Sequence, residues 1–362
     1  MLFSKSWLAE YVELPEPTAD ISKRLTDVGL AIESIEGGEE HGDDVQFDVE
    51  VTSNRVDCMN HLGVARELAV IYGRPLRTPP MAPPEGAERV EDTSAVTRVD
   101  IEDEEGCPRF VARVVRGVRI GPSPDWLRKR LESIGSRSIN NVVDVTNFIL
   151  WEMGQPLHAY DLAKLEEHRL VVRRARAGET LVTLDGVERK LTPEMLVIAD
   201  AVRPVGLGGV MGGADSEVTD ATTDILIEGA HFDRRRVRVA AKALGMHTDA
   251  SHRFERGADP GACLDGVSRA ALLIAEIAGG TVLAGAIDRR RENFPASRSG
   301  RLDLDRLDAF AGAAIPAADA ERWLTGLGFG VQRVEERLWD VTVPSWRLYD
   351  FQPRPDGSVY EA

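Results

Sequence analysis

The sequence has no run approaching the ~18 apolar residues that a membrane span requires. Its first residues, MLFSKSWLAEYVELPEP, carry polar side chains where a secretion signal would need an apolar stretch. A cytoplasmic protein without a membrane partner is expected. Cysteine is scarce: Cys58, Cys107 and Cys263 lie far apart, with no C-x-x-C pair and no Cys/His cluster at zinc-ligand spacing. Three reduced thiols and no structural metal follow. Positive charge is also in deficit, with a formal net charge of -16, which excludes a surface attracting nucleic acid as a whole and leaves only local RNA contacts. A P-loop, G-x-S-x-G, H-E-x-x-H and a helix-opening G-x-G-x-x-G are all absent, so nucleotide binding and the generic hydrolase chemistries have no support. Internal repeats and low-complexity tracts are missing as well.

What is present is a 362-residue chain with 43% apolar residues, enough for two or three conventional cores. Residues 1–74 read as a small mixed domain. SKSWLAEYV puts Trp7, Leu8 and Val12 on one helical face, ISKRLTDVG does the same with Ile21, Leu25 and Val28, FDVEV alternates as a strand, and HLGVARELAVIYG returns to helical spacing. Residues 75–97 are proline-rich and read as a linker. Residues 98–295 are largely sheet: FVARVVRGVRI, RLVVRRA, ETLVTLDG, LVIAD and DILIEG are strand-like runs separated by turn residues. In that region SPDWLRKRLESIG predicts a helix with Ser123 as N-cap, Pro124 at its first position and Gly135 as terminator. Two further helices are predicted, one ending at Leu244 and one spanning about Ala262 to Ala278. Residues 299–362 form a small C-terminal domain, with a helix near residues 317–327, a strand pair, and a turn-rich tail without a final periodic element. The fold class is α+β and multi-domain, a central sheet-rich domain flanked by two small mixed helical ones.

Several residues invite chemistry, and each has a plainer reading. The glycine-dense GLGGVMGGADSE can cradle an anion with its backbone N–H groups or form a tight turn. His158, in WEMGQPLHAYD, follows the polar pair Thr146-Asn147 by 11 residues; a lone histidine is more often structural, yet a neutral imidazole can hold or deliver a proton near pH 7. Glu228 ends the apolar run DILIE, as a capping carboxylate or one placed at a site. MHTDASHRFERG concentrates His247, Thr248, Asp249, His252, Arg253, Glu255 and Arg256, either for recognition or as an ion-pair network. The clusters Arg173/Arg174/Arg176, Arg234 to Arg236 with Arg238, and Arg289 to Arg291 read mainly as solvated charge. Residue chemistry alone stops at an α+β protein with a polar ligand pocket.

Longer stretches carry more. VTSNRVDCMNHLGVARELA, INNVVDVTNFILWEMGQPLHAYD, LVTLDGVERKL, VGLGGVMGGADSEVTDATTDILIEGAHFD, GMHTDASHRFERGADP and VTVPSWR, in this order, closely resemble the β subunit of bacterial phenylalanine-tRNA ligase over nearly the whole chain. The resemblance implies that residues 98–295 are an editing domain hydrolysing tyrosine misattached to phenylalanine tRNA. It places His158, Thr146, Asn147 and Glu228 in the catalytic pocket, Glu228 recognising the tyrosine hydroxyl. Gly212, Thr248 and Ala250 are placed as substrate-binding positions. Asp350 matches the first acidic position of a magnesium site.

The resemblance also implies partners: phenylalanine tRNA, and the α subunit that performs aminoacylation in an α2β2 assembly. Editing implies no cofactor, whereas ATP and Mg2+ belong to the complete ligase. The C-terminal segment would be a truncated nucleic-acid-binding fold. Between GLAIESIEGG and VQFDVEV only six residues stand where most bacterial members insert an oligonucleotide-binding barrel. The family's later modules, including most of the α-docking surface, have no counterpart before Ala362. Aminoacylation by this chain alone is therefore not expected, and a fragment or a free-standing editing protein are both compatible with that. The rival reading is a non-catalytic scaffold or RNA-binding remnant of the β subunit.

Overall fold

A computed structural model describes residues 1–38, 44–81, 91–295, 298–353 and 359–361. The chain divides into two compact units, one made of residues 1–79 with 295–362 and the other of residues 80–294. Helices and mostly antiparallel sheets occur in both, so the class is α+β. Among the described residues no helix is long and apolar enough to cross a membrane.

In the first unit the strand Gln46–Glu50 lies between Leu2–Ser4 and Ala31–Glu36. The helix His61–Tyr72 begins on Asn60, whose side chain accepts from the Gly63 N–H, and ends on left-handed Gly73. Trp7, Leu8, Ile21 and Leu25 are fully buried, as their helical spacing predicts. The chain's last segment folds in the same unit: Leu338–Val343 lies between Arg298–Asp303 and Gly330–Arg333, and the helix Ala317–Gly326 packs on His61–Tyr72. Arg66 stacks over the ring of Trp346 at 4.2 Å. The tail differs from the reading of it as aperiodic. Phe351–Pro353 pairs antiparallel with Val359–Glu361, since β-forming residues stand on both sides of the Pro-Asp-Gly text; the intervening residues 354–358 lie outside those described.

The second unit is built on two sheets with a shared core. In the first sheet Asp224–His231 lies between Arg109–Arg116 and Leu157–Asp161, and Arg109–Arg116 also pairs with Thr281–Val282 and Ile287–Arg290. The second sheet runs Met211–Gly212, Pro204–Leu207, Leu196–Ala199, Arg169–Arg174, Arg98–Ile101, with only the last pair parallel. Phe110, Ala112, Val114 and Leu226 of the first sheet join Val172, Val197, Ile198 and Val205 of the second in one apolar core. Helices Asn141–Met153 and Ala262–Ala278 pack on each other and on the first sheet. Of the proline-rich stretch at 75–97, residues 82–90 lie outside those described, and Thr93–Val96 forms a short helix capped by Asp92.

Ser123 does not cap the next helix. Asp125–Ser133 starts after Pro124, and the Ser123 hydroxyl instead donates to the carboxylate of Asp144 at 2.6 Å. Asp144 is fully buried and also collects Ser138 and the Ile139 N–H. A buried carboxylate without donors costs far more than a helix without a cap, which explains where the serine goes.

Candidate functional site

Two adjacent strands set the site. His158 pairs directly with Glu228, and Leu226 with Tyr160, so all four side chains leave the same face of the sheet. That face is the apolar core face: Leu226 and Ala230 flank Glu228 along its own strand, and Ala112 is its partner on the other side. The alternation therefore puts a carboxyl where a core residue would stand. Gln155 fixes the entry to the His158 strand, its Nε2 donating to the carbonyls of Ala230 and Pro156 at 3.0 Å.

Thr146 and Asn147 arrive on the helix Asn141–Met153, which Asn140 caps through the N–H groups of Val142 and Val143. Thr146, Asn147, Leu150 and Trp151 share one helical face and line a cavity of about 270 Å³. Glu228, His158, Gly212, Thr248 and Ala250 line the same cavity. The seven pocket residues singled out in the sequence are thus brought together.

The glycine-dense segment is a tight hairpin, Pro204–Leu207 with Met211–Gly212, turning through Gly209 at φ 73°. Gly212 has a steric cause: a Cβ there would fall on the His158 imidazole. Thr248 ties the opposite wall to this turn. Its hydroxyl donates to the Val210 carbonyl at 2.9 Å and accepts from the Ser251 N–H at 3.1 Å, within a capping box. Both roles of that hydroxyl are taken, so Thr248 shapes the wall. Behind it, buried Arg253 stacks over Trp151 at 4.6 Å and donates to the Asp249 carbonyl.

Burial governs the electrostatics. Removal from water pushes the Glu228 carboxyl up to about 7, partly opposed by the Tyr160 hydroxyl, which donates to Oε2 at 2.6 Å. No cation pairs with Glu228 among the described residues. His158 is held down at about 4 by burial, so its imidazole is neutral at pH 7. Its Nε2 is shielded and without a hydrogen-bond partner among the described residues. Its ring meets Tyr160 edge-on, centroids 4.4 Å apart. The site thus offers a carboxyl titrating near neutrality, an unprotonated imidazole and backbone of a glycine turn.

Tyr160 was not singled out in the sequence, although its position two residues after His158 on a strand was sufficient signal. Asp350 is elsewhere, in the other unit. It is buried and bonded to Arg347, and burial raises its carboxyl to about 6 despite that cation. It belongs to no metal-competent cluster among the described residues. One carboxylate already neutralised by arginine does not fit magnesium, which needs several oxygen ligands. In the arginine-rich segments, Arg173 pairs with Glu179, and Arg174 and Arg236 both reach Asp103.

Comparison with known proteins places this architecture. The sequence matches the B3/4 domain over residues 106–279 and the tRNA synthetase B5 domain over residues 301–356. It is similar to proteins named phenylalanine–tRNA ligase beta subunit. The one from Syntrophotalea carbinolica is 47% identical over 312 residues, covering 84% of this chain and 38% of that protein. That of Syntrophus aciditrophicus is 42% identical, covering 94% and 43%, and that of Rhodopirellula baltica 44%, covering 96% and 50%. A crystal structure of an N-terminal fragment of the phenylalanyl-tRNA synthetase beta subunit from Pyrococcus horikoshii aligns with a TM-score of 0.49 at 14% identity, covering 96% of this chain and 94% of that one. A B3/4 domain followed by a B5 domain defines a chain of aminoacyl-tRNA synthetase type. More particularly, the chain belongs to the phenylalanine-tRNA ligase β-subunit family, and it spans between 38% and 50% of the length of these relatives.

Proposed function

We propose that the cavity around His158 and Glu228 hydrolyses the ester of tyrosine wrongly attached to phenylalanine tRNA. The observation that carries this reading is a buried carboxyl, unpaired by any described cation, at the wall of a cavity that also holds a neutral imidazole. A cavity of about 150 Å³ already accommodates benzene. About 270 Å³ has room for a phenol ring and the start of its ester.

A pocket selecting phenylalanine rejects a ring that merely adds a hydroxyl by only about a hundredfold, so a second site must select for that hydroxyl. Glu228 accepts the phenolic hydrogen bond, beside the one from Tyr160. Phenylalanine leaves the buried carboxylate short of a partner, at a cost of ~1–3 kcal/mol, which spares the correctly charged tRNA.

Water then adds to the ester carbonyl carbon, the bond to the ribose oxygen breaks, and the water's proton ends on that oxygen. The His158 imidazole, with Thr146 and Asn147 on the facing helix, orients the water or the ribose hydroxyl. The glycine turn, whose Gly206, Gly209 and Gly212 line the cavity, borders the developing oxyanion. Thr248 and Ala250 shape the wall against the ring. The protein would act in the cytoplasm beside an α subunit that carries aminoacylation, with ATP and Mg2+ serving that reaction alone.

The test is deacylation of tyrosyl-tRNA by the chain. His158→Ala should slow it on the order of a hundredfold, and Glu228→Ala on the order of tenfold. Unchanged hydrolysis in both variants sinks the assignment. Binding of tRNA without hydrolysis by the unmodified chain would establish the scaffold reading instead.

A further inference from the structure

On the outer side of the segment whose inner side walls the cavity, His247, His252 and Glu255 come together. Their ligand atoms all lie within 4.8 Å of one another. His247 Nε2 and His252 Nδ1 are 3.4 Å apart. Two nitrogens bound to one tetrahedral zinc ion at 2.0–2.1 Å are separated by about 3.3 Å. We propose that these three residues form a site for a single Zn2+ ion, with water as the fourth ligand.

The donor set decides the class of ion. Two imidazoles and one carboxylate suit a borderline cation and exclude calcium and magnesium, which take oxygen. The backbone holds the set in place before any ion arrives. The reciprocal bonds of Thr248 and Ser251 fix the turn between the histidines, and His252 and Glu255 stand three residues apart on one face. His247 is exposed and the other two partly so, which gives an ion a path in. Arg256 donates to Glu255 Oε1 at 2.9 Å and to the His252 carbonyl, so Glu255 binds through its second oxygen only.

The other cluster of metal-ligating residues, Asp57, Cys58 and Glu67, differs in the respect that matters. Arg55 donates to all three and fills that site with its own charge. In the proposed zinc site Arg256 reaches a single ligand, Glu255, and touches His252 only at its backbone carbonyl.

The ion would tie residue 247 to residues 252 and 255 across Thr248, Asp249 and Ala250, which line the cavity. Occupancy therefore stiffens that wall. This inference stands independently of what the cavity hydrolyses.

The test is Zn2+ titration of the untagged, chelator-stripped chain by calorimetry, paired with visible absorption of the Co2+ form. One equivalent should bind, with the strong ligand-field bands of tetrahedral cobalt. His247→Ala and His252→Ala should each weaken binding at least tenfold and abolish the bands. His247 is exposed, so its variant keeps the test decisive even where His252→Ala fails to fold. No stoichiometric zinc in the unmodified chain, or equal affinity in a folded His247→Ala variant, overturns the proposal.

Discussion

The buried carboxyl groups around Arg55 and the one at the cavity are held in opposite ways. In the first unit Asp57 and Glu67 share the guanidinium of Arg55. In the second unit Glu228 is equally buried and has only a phenol. A buried ion pair closes its own electrostatics and needs nothing further. A buried carboxyl facing a cavity without a cation carries a desolvation penalty that a ligand can relieve, and this is the arrangement that marks functional sites. On the proposed function, this separates charge that holds structure from charge held for a ligand.

The comparison can be broken most forcefully at Arg55. Arg55→Ala strands Asp57 and Glu67 and should cost about 3–5 kcal/mol of stability, measured by denaturant unfolding. Substitution at Glu228 should have the opposite sign. Its folded value of about 7 lies above the ordinary 4.5. The stability it contributes is fully present below about pH 4.5 and lost as pH rises through 7. Glu228→Gln should match the unmodified protein at pH 4.5 and exceed it by up to roughly 3 kcal/mol above pH 7. A gain independent of pH would contradict the burial of an ionisable, unpaired group.

Smaller effects sharpen the picture. Gly212→Ala drives a methyl onto the His158 ring and should cost about 1–3 kcal/mol by overpacking, with loss of deacylation through a displaced imidazole. Full activity in that variant would show that the ring's position is unimportant. Tyr160→Phe removes the single described donor to Glu228. It should cost ~1 kcal/mol at pH 8 and less at pH 5, where the carboxyl is protonated, and it should raise the Glu228 value further. A bulky side chain at Ala250 should exclude the para-hydroxylated ring, read as a raised KM for tyrosyl-tRNA.

Much of this was legible in the sequence, for identifiable reasons. Ordered matches to a known family located His158, Glu228, Gly212, Thr248 and Ala250, and the structure places all of them on one cavity. Spacing alone did not, because the residues come from two strands, a helix, a hairpin and a turn that meet only in the folded unit. The helix bearing Thr146 and Asn147 is apolar on most of its surface, so its periodicity is weak. Ser123 looked like a cap because a local signal cannot show that buried Asp144, 21 residues on, competes for its hydroxyl. The union of residues 1–79 with 295–362 rests on contacts between distant segments and leaves no mark in either.

The most direct measurement is the ratio of hydrolysis rates for tyrosyl-tRNA and phenylalanyl-tRNA, in the unmodified chain and in Glu228→Ala. A carboxyl held unpaired to recognise a phenol requires a ratio well above one that falls about tenfold in the variant. A ratio that is large and unchanged without Glu228 would contradict the role assigned to this carboxyl.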